Sequence, residues 1–154
     1  MKSYPYLLEL RIGHAKQKLN AVIRDVKEHF KLTYESPNIA HMSPYGPFTI
    51  KPGHSFHDVK TIISRNARNI STLPYWVDGY DYKLNPNGGV IVFRIIPSDS
   101  FHDFLCNTSR DLQKCTISKS EWDRNPENHW YHVTIAFHLS KQRYQQILQY
   151  LNID

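Results

Sequence analysis

The chain has 154 residues and a mass of 18.2 kDa, enough for one compact domain spanning 1–154 and too short for a full-size barrel enzyme or a multidomain machine. Forty per cent hydrophobic residues, with 10 Tyr, 7 Phe and 3 Trp, exclude a disordered chain. Nineteen Lys and Arg against 14 Asp and Glu leave a formal net charge of +5, a mild bias towards polyanionic partners.

Tyr6 to Ile12 (YLLELRI) is short, apolar-rich and preceded by Pro5, which predicts a first strand. From His14 to Phe30 the period changes: Ala15, Leu19, Val22, Ile23, Val26 and Phe30 recur every three or four residues between charged ones. That spacing predicts an amphipathic helix. The turn residues Glu35-Ser36-Pro37-Asn38 follow, then IAHMSPYGPFTI, where Pro44, Gly46 and Pro47 predict a short strand and an ordered loop. Ser55 is placed to cap a second helix from about Phe56 to Ala67.

Tyr75 to Leu84 and Val90 to Ile96 read as a hairpin across the turn Asn85-Pro86-Asn87-Gly88-Gly89. Pro97-Ser98-Asp99 opens a helix to about Lys114, and Trp122 to Asn128 reads as a polar loop. Trp130 to Leu139 (WYHVTIAFHL) is a strand by its alternation, and Ser140 caps a terminal helix to about Leu151. Cys106 and Cys115 lack CxxC spacing and are expected to be free thiols of a reducing compartment. The amino-terminal MKSYPYLLELRIGHAKQ is expected to be no signal peptide, and no stretch is apolar enough to span a membrane. The expected location is cytoplasmic.

Two segments, roughly 6–70 and 75–151, repeat one order of strand, helix, histidine-bearing strand and helix. Arg11 precedes His41 by 30 residues and Arg94 precedes His132 by 38. The predicted class is α+β, with lobes that mix the two repeats and equivalent residues facing across a pseudo-twofold cleft.

Within this repeat, His41-Met42-Ser43 and His132-Val133-Thr134 stand 91 residues apart. A strand has period two, so each histidine shares a face with the hydroxyl two residues on. An imidazole exchanges protons near neutrality, and a hydroxyl donates to a phosphoryl oxygen. Two such pairs around one phosphodiester supply a base for the nucleophile, an acid for the leaving oxygen and two donors for developing charge. The simpler alternative is a pair of unrelated strand histidines satisfied by backbone carbonyls.

The stretches HMSPYGPF and YHVTIAF resemble the paired His-x-Thr/Ser motifs of the 2H phosphoesterase superfamily, in particular the RNA 2′,3′-cyclic phosphodiesterases, also called 2′-5′ RNA ligase-like proteins. The resemblance implies two pseudo-symmetric lobes, with antiparallel sheets lining a central cleft and helices outside. It implies a hydrolase, His41 and His132 catalytic, Ser43 and Thr134 binding the substrate phosphate, with no metal and no cofactor. The implied reaction opens a 2′,3′-cyclic phosphate of an RNA end or a nucleotide to a 2′-phosphate, with 2′-5′ RNA ligation as its reverse type. The implied protein is a monomer in RNA processing, with RNA ends or nucleotide cyclic phosphates as partners and no membrane partner. ADP-ribose cyclic phosphate, 2′-5′ oligoadenylate, the 3′ tail of a small RNA, and a non-catalytic RNA-end binding module stay open as alternatives. In this chain Ser43 stands where Thr is commoner, and Pro44 is expected to shorten the strand.

Tyr45, directly after the first motif, and Trp130 are candidates to stack on a base. Arg11 and Arg94, at equivalent places in the repeat, and Lys51 are candidates for phosphate contact. His54-x-x-His57 and His129-x-x-His132 lack the further ligands a zinc site needs. The charge run Lys27 to Lys31 reads as a solvated helix face.

Overall fold

The computed structural model describes residues 3–154. The elements run β1 (Tyr6–Arg11), α1 (Lys16–His29), β2 (His41–Ile50), α2 (Phe56–Ala67), β3 (Tyr75–Asn85), β4 (Gly88–Pro97), α3 (Asp99–Leu112), β5 (Thr116–Ser118), α4 (Glu121–Arg124), a 3-10 turn (Pro126–Asn128), β6 (His132–Leu139) and α5 (Lys141–Tyr150). The strands form two three-stranded antiparallel sheets, ordered β1-β2-β5 and β3-β4-β6. No helix among the described residues is long and apolar enough to cross a membrane.

The chain divides into two compact units, each drawn from both halves of the sequence. One holds the chain to Leu10 with Ser43–Trp76 and Ile96–Tyr131; the other holds Arg11–Met42, Val77–Ile95 and His132–Asp154. The helix after β1 thus belongs with the sheet of the second half, and the helix after β4 with the sheet of the first.

In the first unit Tyr45, Phe48, Val59, Ile62, Leu112 and Cys115 form a buried cluster, with Leu8, Ile50 and Ile63 packed on it. Each fully buried aliphatic side chain there contributes about 1.5–3 kcal/mol. Helix α2 starts where the Asp58 carboxylate accepts from the Ser55 N–H at 2.7 Å, and α3 where Ser98 Oγ accepts from the Phe101 N–H at 3.2 Å. The two helices are tied at Asp111, which accepts from Lys114 at 2.8 Å and from Asn66 and Arg65 at 3.1 Å. These donors, Lys114 foremost, hold its carboxyl down at about 2.

In the second unit α1 buries Leu19, Ile23 and Val26, the inner face its periodicity predicts. It packs on β6, whose Val133, Ile135 and Ala136 are wholly buried. Helix α5 is capped by Ser140 Oγ, which accepts from the Arg143 N–H at 3.2 Å, and it buries Tyr144 and Ile147. The β3–β4 turn closes through Asn85 Oδ1, which accepts from the Asn87 N–H at 3.0 Å, and Gly88 adopts φ +111°. Gly89 lies beneath Tyr144: a Cβ there would stand 2.3 Å from the ring, so the close approach of strand and helix requires glycine.

Four expectations are corrected. The His41 segment is one continuous ten-residue strand, β2, through Pro44 and a cis Gly46–Pro47 bond. Its ladder to β5 spans only Phe48–Ser118 to Ile50–Thr116, so both prolines precede the positions where a β5 carbonyl would need a donor. The polar 122–128 loop is instead helix α4 and a 3-10 turn. The last strand starts at His132 rather than Trp130, and α3 ends at Leu112, which leaves Cys115 beyond it. Cys106 and Cys115 are both free and buried.

Candidate active site

The two histidine strands share one sequence of burial over eight positions. His41 and His132 are half-buried, Met42 and Val133 buried, Ser43 and Thr134 half-buried, Pro44 and Ile135 buried. Tyr45 and Ala136 are buried in turn, so both strands then change face, and the eighth position, Phe48 or Leu139, is buried again. The apolar residue between each histidine and its hydroxyl anchors the strand in a core. The polar pair is thereby turned to the other face.

The β4–β6 register sets Arg94 opposite His132 and Val92 opposite Thr134. Residues paired across an antiparallel ladder project to the same side, with Cβ atoms about 4.5–5.5 Å apart. Arg94, His132 and Thr134 therefore share one face. The Arg94 guanidinium is held by Asp78 on β3: Nε donates to the Asp78 carbonyl at 3.0 Å and Nη2 lies 2.9 Å from its carboxylate. Asp78 is a residue that the sequence alone did not single out; its contacts with Arg94 reveal it.

His41 is oriented by the residues just before it: Nδ1–H donates to the Ile39 carbonyl at 2.9 Å, which sets the tautomer with the proton on Nδ1. The segment before it runs along β6. The Phe137 N–H donates to the Glu35 carbonyl at 2.7 Å, and Ser36 Oγ donates to the Ile135 carbonyl at 2.8 Å. One step forward from Glu35 to Ser36 is thus a step back along β6, in the direction of His132. The Ala40 N–H is held by Asn20 Oδ1 at 2.7 Å, which ties the last residue before His41 to α1.

One candidate is corrected. Tyr45 offers no face for a base. It is 1% exposed, its ring packs against Phe48 at 5.5 Å, and its hydroxyl pairs with Thr116 Oγ1 at 2.7 Å. Burial pushes its ionisation up to about 12. The Lys51 ammonium donates to the Gln113 carbonyl at 2.5 Å within the first unit. Trp130 is half-buried, with its ring 5.9 Å from that of Trp122, and Arg11 is exposed at the end of β1.

Asp123 is the residue that sequence reasoning missed. It is 2% exposed, and one carboxylate oxygen accepts from the Gly46 N–H at 2.8 Å and from Ser118 Oγ. This single contact clamps the middle of β2 to the segment after β5. Burial pushes its carboxyl up, against the opposing pull of the Ser118 and Gly46 donors. In sequence it is one acid among the polar residues of WDRNPEN, with nothing to distinguish it from a surface charge.

Among the described residues no group of three His, Cys, Asp or Glu side chains is arranged to hold a metal ion, and His54 pairs with Asp58 at 3.6 Å. Comparison of the chain with protein-family profiles, with curated protein sequences and with solved structures returned no match.

Proposed function

We propose that the chain is a two-histidine phosphodiesterase of the 2H type that opens 2′,3′-cyclic phosphates of RNA ends or nucleotides to 2′-phosphates. The observation that carries the reading is the matched burial of the two His-x-hydroxyl strands, which turns an imidazole and a hydroxyl together off the core face in each. The membership of His41 and His132 in one compact unit adds support, as does the run of the 35–41 segment back along β6. The neighbourhood of β1 with β2 and of β4 with β6 in their sheets agrees with a duplicated unit.

In this reading His132 takes a proton from water as the water oxygen attacks phosphorus. The bond from phosphorus to the 3′-oxygen breaks, and His41 gives its Nε2 proton to that oxygen. The product is a 2′-phosphate with a free 3′-hydroxyl. The proton gained at His132 and the one lost at His41 then exchange with solvent, which resets the pair. Ser43 and Thr134 donate to the non-bridging oxygens as charge builds on them. Such a mechanism needs no metal, because the acid, the base and the charge stabilisation all come from side chains.

The test is incubation with the four nucleoside 2′,3′-cyclic monophosphates, with and without a chelator, followed by assignment of the product. The expected result is the nucleoside 2′-phosphate at an unchanged rate with chelator present. A 3′-phosphate product or a chelator-sensitive activity contradicts the mechanism. Tight binding of a cyclic end with no product after long incubation favours an RNA-end binding module instead.

A further inference from the structure

The charge run on α1 does more than face solvent. Gln17, Asn20, Arg24 and Lys27 follow one another at intervals of three and four along the helix, and Lys31 lies just past its end. They form one wall of a groove of about 930 Å³, closed on its other side by Thr33, Pro37 and Asn38 and floored by Ile23 and Leu32. Arg24, Lys27 and Lys31 contribute three cations against the single carboxylate of Glu28. Lys27 Nζ donates to Asn38 Oδ1 at 2.7 Å, a neutral acceptor that leaves its charge uncancelled. Tyr34, next in the chain to the lining residue Thr33, is 74% exposed.

We propose that this groove is a binding track for single-stranded RNA, distinct from the histidine site and continuous with it along the chain. Three lines of chemistry converge on that ligand. Arg24 and Lys27 stand one turn apart on α1 and Lys31 follows just past its end, so the three cations can pair with two or three successive phosphates of one strand. An exposed tyrosine beside a basic groove is the pairing by which single strands are held, with stacking on the ring and charge along the backbone. The Gln17 amide and the side-chain NH2 groups of Asn20 and Asn38 supply donors for sugar hydroxyls and base edges. The track also leads to the right place: Asn38 stands three residues before His41, and Asn20 holds the Ala40 N–H. An RNA with its 3′ end at His41 would lay its upstream nucleotides along α1. The choice of RNA over DNA rests on the function proposed above; the groove and its charges do not.

The test uses fluorescence anisotropy of a labelled ten-nucleotide single-stranded RNA with a plain 3′-hydroxyl, titrated with the protein over a range of salt. The expected result is that Arg24→Ala with Lys27→Ala and Lys31→Ala weakens binding tenfold or more at low salt. The salt dependence should also flatten by about two in slope, since each single-strand phosphate contact contributes about 0.7. Tyr34→Ala should weaken binding about fivefold or more. Turnover of nucleoside 2′,3′-cyclic monophosphates stays at the wild-type rate in all these variants, because a mononucleotide does not reach the track. The exposed pair Arg24→Gln with Lys31→Gln, checked for an unchanged melting temperature, repeats the measurement with Lys27 intact. An unchanged affinity and salt slope in both multiple variants overturns the proposal, as does equal competition by an oligoglutamate of the same charge. A wild-type protein that binds this RNA through the groove yet turns over no cyclic phosphate sinks the catalytic reading and leaves the track standing.

Discussion

Alanine at either His41 or His132 should lower turnover of a nucleoside 2′,3′-cyclic phosphate by about 10²–10⁴-fold, the range a positioned acid or base contributes. The loss should fall on kcat with little change in KM, because proton transfer takes place only in the transition state. The double variant should lose far less than the product of the two single effects, since a base without its acid partner has little left to do. The division of roles can be read from the leaving group. A phosphodiester that expels an acidic phenol needs no proton on departure, so it should restore much of the rate to His41→Ala and little to His132→Ala. Rescue of His132→Ala alone would exchange the two roles. Wild-type rates in both variants would remove the imidazoles from the chemistry altogether.

The second large effect concerns stability. Asp123→Ala removes the acceptor shared by the Gly46 N–H and Ser118 Oγ, in a site that is 2% exposed. An orphaned buried N–H and the cavity left behind together cost about 2–4 kcal/mol. Asp123→Asn keeps an oxygen at the same place and should cost far less. The comparison also carries a pH signature. Burial raises the Asp123 carboxyl above its ordinary value of 3.8, so the folded state holds a proton that the unfolded chain has released. Its contribution is fully present below 3.8 and is lost as pH climbs through the raised value. Thermal midpoints across this acid range should therefore show Asp123→Asn gaining on the wild type as pH rises, while Asp123→Ala stays low throughout. An Asp123→Ala protein as stable as wild type would mean that the clamp on β2 contributes nothing.

The parts of the fold that the sequence made legible are those with a strong period. Leu19, Ile23 and Val26 on α1, Val59 and Ile62 on α2, and Val133 and Ile135 on β6 are all buried as their spacing requires. The serine caps at Ser98 and Ser140 also sit where hydroxyl and helix start coincide. What was hidden depends on partners distant in the chain. Pro44 and Pro47 look like strand breakers until the β5 ladder is seen to begin only at Phe48. Strand β5 itself is three residues long, too short to show alternation. Tyr45 reads as a loop aromatic because nothing local reveals Thr116 beneath its hydroxyl. Lys51 and Asp123 have the residue types of surface charges, and only the folded chain shows the carbonyl of Gln113 and the N–H of Gly46 that engage them. The His-x-hydroxyl alternation was legible because it is local. Its neighbour Arg94, and Asp78 in contact with Arg94, are a matter of pairing between strands, which no single segment encodes.

In the proposed reaction His41 and His132 serve one phosphorus atom, and nitrogen NMR of the imidazole rings addresses that directly. Titration of the protein with a nucleoside 2′-phosphate, the expected product, should move the ring nitrogens of His41 and His132 together, with one saturation point. The other histidines should stay in place. Movement of only one of the two rings, or of neither at saturating nucleotide, would contradict the claim.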